Sequence, residues 1–201
     1  MKILIVGAGF SGSVIARCLA EAGYKIDIID KRDHIAGNAY DFENKDGIRV
    51  HKYGPHLYHT NNEKVHSWLS KFTDWHNYQH RVKAMLSDGR LVTLPVNSVT
   101  AEIVGKENIV DTFFRPYTKK MWGLEIEELD PKILSRVPVR DDQNELYFPD
   151  DVYQALPKDG YTSLVNNILD HPNIHVSINT SFCKKMEKGY DHIFNSMAID
   201  E

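Results

Sequence analysis

Apolar and polar positions fall into blocks along this chain, and the first block is the most regular. Ile3 to Val6 is an uninterrupted apolar run, which predicts a strand buried on both faces. Val14 to Ala22 continues at helical spacing, with Ala16, Ala20 and Ala22 small enough to bring a helix close to a sheet. Tyr24 to Ile29 predicts a second buried strand. Asn62 to Phe72 predicts a helix with Val65, Trp68, Leu69 and Phe72 on one face. Asn44-Lys45-Asp46-Gly47 and Asp88-Gly89 mark hairpin turns between short strands. Residues 98 to 130 are mainly helical by pattern, with Ile109, Val110, Phe113, Phe114 and Tyr117 near three- and four-residue intervals. Thr162 to Leu169 predicts a further helix, and Ile174–Ile178 and Tyr190–Phe194 two returning strands, joined in parallel or as a hairpin.

The joint between the first strand and helix carries Gly7, Gly9 and Gly12. Strand, Gly-x-Gly-x-x-Gly and helix together form a dinucleotide-binding fingerprint, in which helix amides can hold a pyrophosphate. Asp30 closes the second strand, where that fingerprint wants an acid for a ribose 2′-OH; a turn or capping aspartate suits the same place. Lys31 and Arg32 are equally readable as phosphate contacts or as solvated loop charges. The chain then turns at Gly37-Asn38 instead of entering a crossover helix.

Composition narrows the class. The chain has 201 residues, 42% of them hydrophobic, enough for one domain or a domain with a small insert. Its 24 Lys and Arg against 28 Asp and Glu form no basic block, which disfavours a nucleic-acid partner. Ten histidines lack metal-site spacing, so no metal is expected. No stretch is long and apolar enough for a membrane span, and Lys2 precedes only a strand-length run, not a signal peptide. Cys18, placed on the inward side of the first helix, reads as a core thiol. With Cys183 far away, a reducing cytoplasmic setting is the natural expectation.

Further polar and aromatic residues invite chemistry. Tyr53 to Thr60 packs aromatics and imidazoles around Gly54-Pro55, and His56 there suits a ligand wall or a structural histidine. Phe113 fits a core stripe, whereas Tyr117 and Trp122 suit a base or sugar slot. Arg136 and Arg140 flank a proline-stiffened segment and suit a diphosphate or surface salt bridges. The polar run Asp141 to Glu145 is consistent with a movable lid, and Tyr147 with a nucleotide contact or a buried turn.

Seven segments carry a family resemblance: GAGFSG at 7–12, DKRDHIAGNAYD at 30–41, GPHLYHT at 54–60, LPVN at 94–97, FFRPYTKKMWG at 113–123, SRVPVR at 135–140 and YQALPKDGYTSLV at 153–165. In this order they resemble bacterial UDP-galactopyranose mutases. The resemblance implies an α/β fold: a Rossmann-like FAD-binding domain with a shortened, mainly helical substrate-domain insertion. The implied boundaries are 1–97 and 150–201 for the FAD-binding part and 98–149 for the insertion. It implies noncovalent FAD, used reduced, and interconversion of UDP-galactopyranose and UDP-galactofuranose by attack of the flavin on the anomeric carbon. Gly7, Gly9, Phe10, Ser11, Gly12, Asp30, Lys31, Gly37, Asn38 and His56 would hold the cofactor. Phe113, Tyr117, Trp122, Arg136, Arg140 and Tyr147 would meet the substrate, with His56 and Arg140 catalytic. A homo-oligomer is compatible with this reading.

The resemblance also has departures. Helical sequence is expected to be missing between Asn97 and Ser98, and Met197-Ala198 replaces a Gly-Pro turn. Family sequence expected beyond Glu201, which supplies a second arginine, tyrosines and a flavin contact, is also absent, so the chain reads as an abridged mutase with weak or no turnover of its own. The alternatives are a noncatalytic nucleotide-binding or assembly protein and another FAD-dependent oxidoreductase.

Overall fold

The computed structural model describes residues 1–130 and 139–198. In chain order its main elements are β1 (Lys2–Val6), α1 (Phe10–Glu21), β2 (Lys25–Ile29), β3 (Asp41–Glu43), β4 (Arg49–His51), β5 (Tyr58–Thr60), α2 (Glu63–Leu69), β6 (Trp75–Asn77), β7 (Val82–Met85), β8 (Leu91–Leu94), α3 (Ser98–Val104), α4 (Arg115–Trp122), β9 (Tyr153–Pro157), α5 (Tyr161–Leu169), β10 (Ile174–Ser177) and β11 (His192–Asn195). They form two compact units: Met1–Tyr78 with Val152–Glu201, and Gln79–Asp151. The divisions fall at 78/79 and 151/152 instead of the expected 97/98 and 149/150. The β7–β8 hairpin belongs to the second unit, a grouping set by contacts that local pattern does not carry.

In the first unit, a parallel sheet runs in the order β10-β2-β1-β11. The two late strands thus join in parallel, not as a hairpin. Alternation on β1 builds two cores. Ile3 and Ile5 face α1 and α5 through Ala16, Ala20, Val165 and Leu169. Leu4 and Val6 point to the other face and pack with Phe182, Met186 and Tyr190. Burial on both sides explains why the strand lacks polar residues between Ile3 and Val6.

Gly12 sets how closely α1 approaches β1. A Cβ at this position would run into the Gly7 carbonyl oxygen. Because the obstacle is backbone, the helix would have to move away from the sheet. Gly12→Ala is expected to cost about 1–3 kcal/mol, the usual range for overpacking, seen as a lower urea midpoint with unchanged slope.

The buried side of α1 comprises Gly12, Ser13, Ala16 and Ala20. Cys18 is exposed, which corrects its assignment to the core. At about 100° per residue, a position two after Ala16 lies well around the helix from it. Asn62 caps α2, its side chain accepting from the Lys64 and Val65 amides at 3.0 and 3.2 Å.

A second cap comes from far away in sequence. Gly160 precedes α5 and has no side chain to offer. Instead, the Asp41 carboxylate accepts from the Tyr161 and Thr162 amides at 2.8 and 2.9 Å. The Thr162 hydroxyl oxygen accepts from the Asp41 amide at 2.9 Å, and its O–H donates to the Asp41 carbonyl at 2.8 Å. This ties β3 to the start of α5 across 120 residues.

The second unit continues without a break at the expected deletion point. Asn97 is buried and caps α3, accepting from Thr100 at 2.9 Å. The Thr100 hydroxyl donates back to the Thr93 carbonyl at 2.9 Å. A π-turn at Val110–Phe114 leads into α4. It widens where Pro116 removes the amide that the Thr112 carbonyl would otherwise use. Among the described residues, no helix is long and apolar enough to cross a membrane.

Candidate functional site

A cleft of about 960 Å³ opens in the first unit where β1 meets α1. That volume lies at the upper end of the usual range for small-molecule sites, roughly 300–1,000 Å³. The first strand ends in Gly7, whose φ of 101° suits glycine and whose amide donates to the Ile29 carbonyl at 2.7 Å. Gly9 is the N-cap of α1 and supplies no side-chain cap. The first amides of this twelve-residue helix therefore offer donors for an anion, and the helix dipole favours one there.

Gly37 closes over this turn. A Cβ on Gly37 would stand 3.1 Å from the Gly9 Cα, so the two glycines allow close approach of two loops. Preceding it, Ala36 occupies the left-handed region at φ 70°, with its amide donating to the Ala8 carbonyl at 2.9 Å. Gly7, Gly9, Phe10, Ser11, Asp30, Lys31, Gly37, Asn38 and His56 all line the one cleft. Gly12 does not line it; this glycine acts by seating the helix.

Asp30 is buried at the cleft wall and already has local work. Its two oxygens accept from the Ala8 and Arg32 amides at 2.8 and 2.9 Å. The carboxylate thereby fixes the glycine turn to the end of β2, and each oxygen keeps accepting capacity for a ligand hydroxyl. Both readings of Asp30 are thus compatible in one side chain.

His56 reaches the same cleft through a folded loop. Its Nδ1 donates to the Gly54 carbonyl at 3.0 Å, leaving the lone pair of the neutral ring on Nε2. Its amide donates to His51 Nδ1 at 3.0 Å. Burial, opposed by Asp41 and helped by the neighbouring Arg49, holds the His51 imidazole below the ordinary histidine range. A neutral His51 agrees with that accepting role.

Arg32, open in the sequence to a phosphate or a solvent role, lines the wall. Thr180 to Phe182 after β10 and Asn195 to Ala198 at the end of β11 line it too, and no local pattern marked them for a cleft. The Ser196 hydroxyl donates to the Val6 carbonyl at 2.8 Å. The parallel strand ends bring these segments together; a ligand crevice at such ends is the signal that could have identified them.

The expected substrate residues lie in the second unit, except Arg136, which is outside the described residues. Phe113 packs against the cluster of Val96, Ala101 and Ile109, which favours its core-stripe reading over a ligand role. Tyr117 and Trp122 on α4 are 62% and 59% exposed. Tyr147 is partly exposed and packs edge-on against Phe148, with ring centroids 4.9 Å apart.

Arg140 is held by backbone within its unit. Its amide donates to Val96 at 2.8 Å, Nη1 to Leu146 at 2.9 Å and Nη2 to Pro95 at 3.5 Å. Its Nε is buried and has no partner among the described residues. The following polar loop is pinned too: the Ser98 amide donates to the Asp142 carbonyl at 2.9 Å, and Asn97 Nδ2 to Asn144 at 3.3 Å. These ties span more than forty residues, so the local polar run gave no sign of them.

Comparison with known proteins places this geometry in context. Residues 112–201 match the UDP-galactopyranose mutase family, and residues 5–72 match an NAD(P)-binding Rossmann-like domain. A probable UDP-galactopyranose mutase of Klebsiella pneumoniae is 37% identical over 236 residues, covering 99% of this chain and 61% of the relative. A dTDP-fucopyranose mutase of Escherichia coli is 38% identical over 242 residues, covering 99% and 63%. Both alignments are longer than this 201-residue chain, so they contain gaps on its side. The fold also resembles a crystal structure of reduced UDP-galactopyranose mutase, with a TM-score of 0.62 at 19% identity, covering 88% of this chain and 48% of the other. The chain spans about three fifths of the length of these curated relatives. It is a distant homologue of the bacterial UDP-galactopyranose and dTDP-fucopyranose mutases, matching part of their length.

Proposed function

We propose that this chain binds FAD in the first-unit cleft and acts on a nucleotide sugar, with UDP-galactose in its pyranose and furanose forms as the substrate. The observation carrying the proposal is the cradle around Gly9. A Cβ there would meet no protein atom closer than the Gly37 Cα at 3.7 Å, so the space it borders is available to a ligand. The adjoining helix terminus has no side-chain cap, and its donors suit a pyrophosphate. Asp30 would take the adenosine ribose, and an acid there disfavours a 2′-phosphate. Gly37, Asn38 and His56 would flank the rest of the cofactor. Reduced FAD would supply an electron-rich ring for an isomerisation with no net redox change.

For the sugar nucleotide, exposed Tyr117 and Trp122 offer flat apolar faces. Arg140 offers guanidinium charge to a diphosphate, but its unpartnered Nε is buried and would donate only after the side chain turns. Both its terminal nitrogens are already engaged by carbonyls, so the clamp is incomplete in this arrangement. Turnover by this chain alone is therefore proposed to be slow. Phe113 is better assigned to the core.

The nearly equal identity to a dTDP-fucopyranose mutase supplies a specific second reading for base and sugar. The test is conversion of UDP-galactofuranose and dTDP-fucofuranose with added FAD, with and without dithionite. Slow, reductant-dependent conversion of the UDP sugar is expected. Preference for the dTDP sugar would reassign the substrate. Rapid turnover would overturn the incomplete clamp. Failure to bind either nucleotide sugar would favour a noncatalytic dinucleotide-binding protein or another FAD-dependent oxidoreductase.

A further inference from the structure

Beside Asp30 stands a cluster that the proposed reaction leaves unused. His34 is 7% exposed, and both its ring nitrogens have partners. Nδ1 lies 2.8 Å from the Ile35 carbonyl, which can only accept, so this nitrogen carries a proton. Nε2 is then the acceptor in the neutral ring for the Tyr53 hydroxyl at 2.7 Å. The imidazole also stacks on Tyr40, with centroids 3.9 Å apart. Thus a buried histidine fixes a tyrosine that is itself 42% exposed.

Tyr53 in turn supports Arg32. The guanidinium carbon lies 4.7 Å from the Tyr53 ring centroid, within cation–π range. Nη2 donates to Asn38 Oδ1 at 2.9 Å. At its backbone, Arg32 donates to Asp30 and its carbonyl accepts from the Asn179 amide at 2.8 Å. Both Arg32 and Asn38 line the cleft. An arginine fixed by its main chain, its ring contact and its terminal nitrogen loses less freedom when it meets a ligand.

We propose that His34 and Tyr53 form a platform that positions the Arg32 guanidinium for the adenylate half of a bound dinucleotide. The inference deepens the FAD reading and rests on it. Arg32 is the contact residue; His34 and Tyr53 are positioning residues. Lys31 also borders the cleft.

The test measures binding of ADP and FAD to the whole chain carrying Arg32→Met, Tyr53→Phe, Tyr53→Leu and the Arg32→Met/Tyr53→Leu pair. Arg32→Met is expected to weaken both ligands about tenfold, as loss of a charge-assisted contact does. Tyr53→Leu is expected to weaken them about fivefold through lost support for that cation. Tyr53→Phe retains the ring and is expected to recover part of this loss. On the Arg32→Met background, Tyr53→Leu should change affinity less than about twofold, because the platform has nothing left to position. A merely structural tyrosine would weaken binding equally in both backgrounds, which would overturn the proposal. Absence of wild-type ADP binding would also overturn it. If ADP shows the expected coupling but FAD does not bind, the platform stands and the flavin reading fails.

Discussion

Asp41→Ala is expected to lower the stability of the first unit by about 2–4 kcal/mol, because one buried and one part-buried amide lose their acceptor together. The carboxylate caps α5 through Tyr161 and Thr162. Its side chain is fully buried, with Arg49 Nη1 3.9 Å away. Removing the acceptor leaves the start of the helix without a cap. Asp41→Asn keeps one acceptor oxygen and should fall between the parent and the alanine variant. Urea unfolding followed by circular dichroism would check both changes. Equal stability of parent and Asp41→Ala would mean that the α5 terminus finds another partner. The effect concerns the fold; Asp41 is not assigned to the dinucleotide cleft.

Gly9→Ala should have the opposite profile: a small effect on folding and a large one on cofactor binding. Gly9 has an ordinary φ of −78°, and an added Cβ meets Gly37 only at van der Waals distance. The apo protein should keep its stability to within about 1 kcal/mol, as expected where a substitution creates no cavity, buried charge or strain. A methyl in the cradle would hold a pyrophosphate away from the α1 amides. Weakening two charge-assisted hydrogen bonds predicts about a 100-fold loss of FAD affinity. Calorimetric titration and an unfolding curve of the same preparation separate the two effects. Unchanged FAD affinity would remove the helix terminus from the pyrophosphate assignment.

The contrast with Gly12 shows why spacing alone does not settle a glycine's role. Gly9 leaves room beside the cleft, while Gly12 prevents a collision between α1 and the first strand. Sequence spacing identified both positions. It distinguished neither the passive packing role nor the open cradle, because those depend on the path of surrounding backbone.

Much of the local architecture was legible. The apolar run became β1, Asn62 became the cap of α2, and Asn44–Gly47 became the turn between β3 and β4. These outcomes depend on short-range patterning and turn chemistry. The long-range features were hidden. Asp41 reads locally as an ordinary polar residue, yet it caps a helix 120 positions away. Cys18 looked inward until the register of the small-residue face placed it outside.

The candidate site divides in the same way. Gly7, Gly9 and Asp30 were recognisable by residue type and spacing, His56 by its loop, and Gly37 and Asn38 through the family resemblance; the fold brings these six to one cleft. Arg32 and Lys31 could not be ranked because both are adjacent cations. The ring contact of Arg32 with Tyr53, and the hydrogen bond of Tyr53 with His34, appear only in three dimensions. Phe113 resembled a ligand aromatic within its motif, but its neighbours make it part of the second unit's core. The Asp141–Glu145 run reads as a lid by composition, and its carbonyls accept from the Asn97 and Ser98 side chains, partners that lie more than forty residues away.

Equilibrium titration of the purified chain with FAD, read by flavin absorption and fluorescence with ADP as competitor, decides whether the glycine cradle and Asp30 receive the adenosine diphosphate part of a flavin dinucleotide. One FAD per chain is expected, displaced by ADP and bound more weakly after Gly9→Ala. Failure to bind FAD, or binding that neither ADP nor Gly9→Ala changes, would remove the dinucleotide from this cleft.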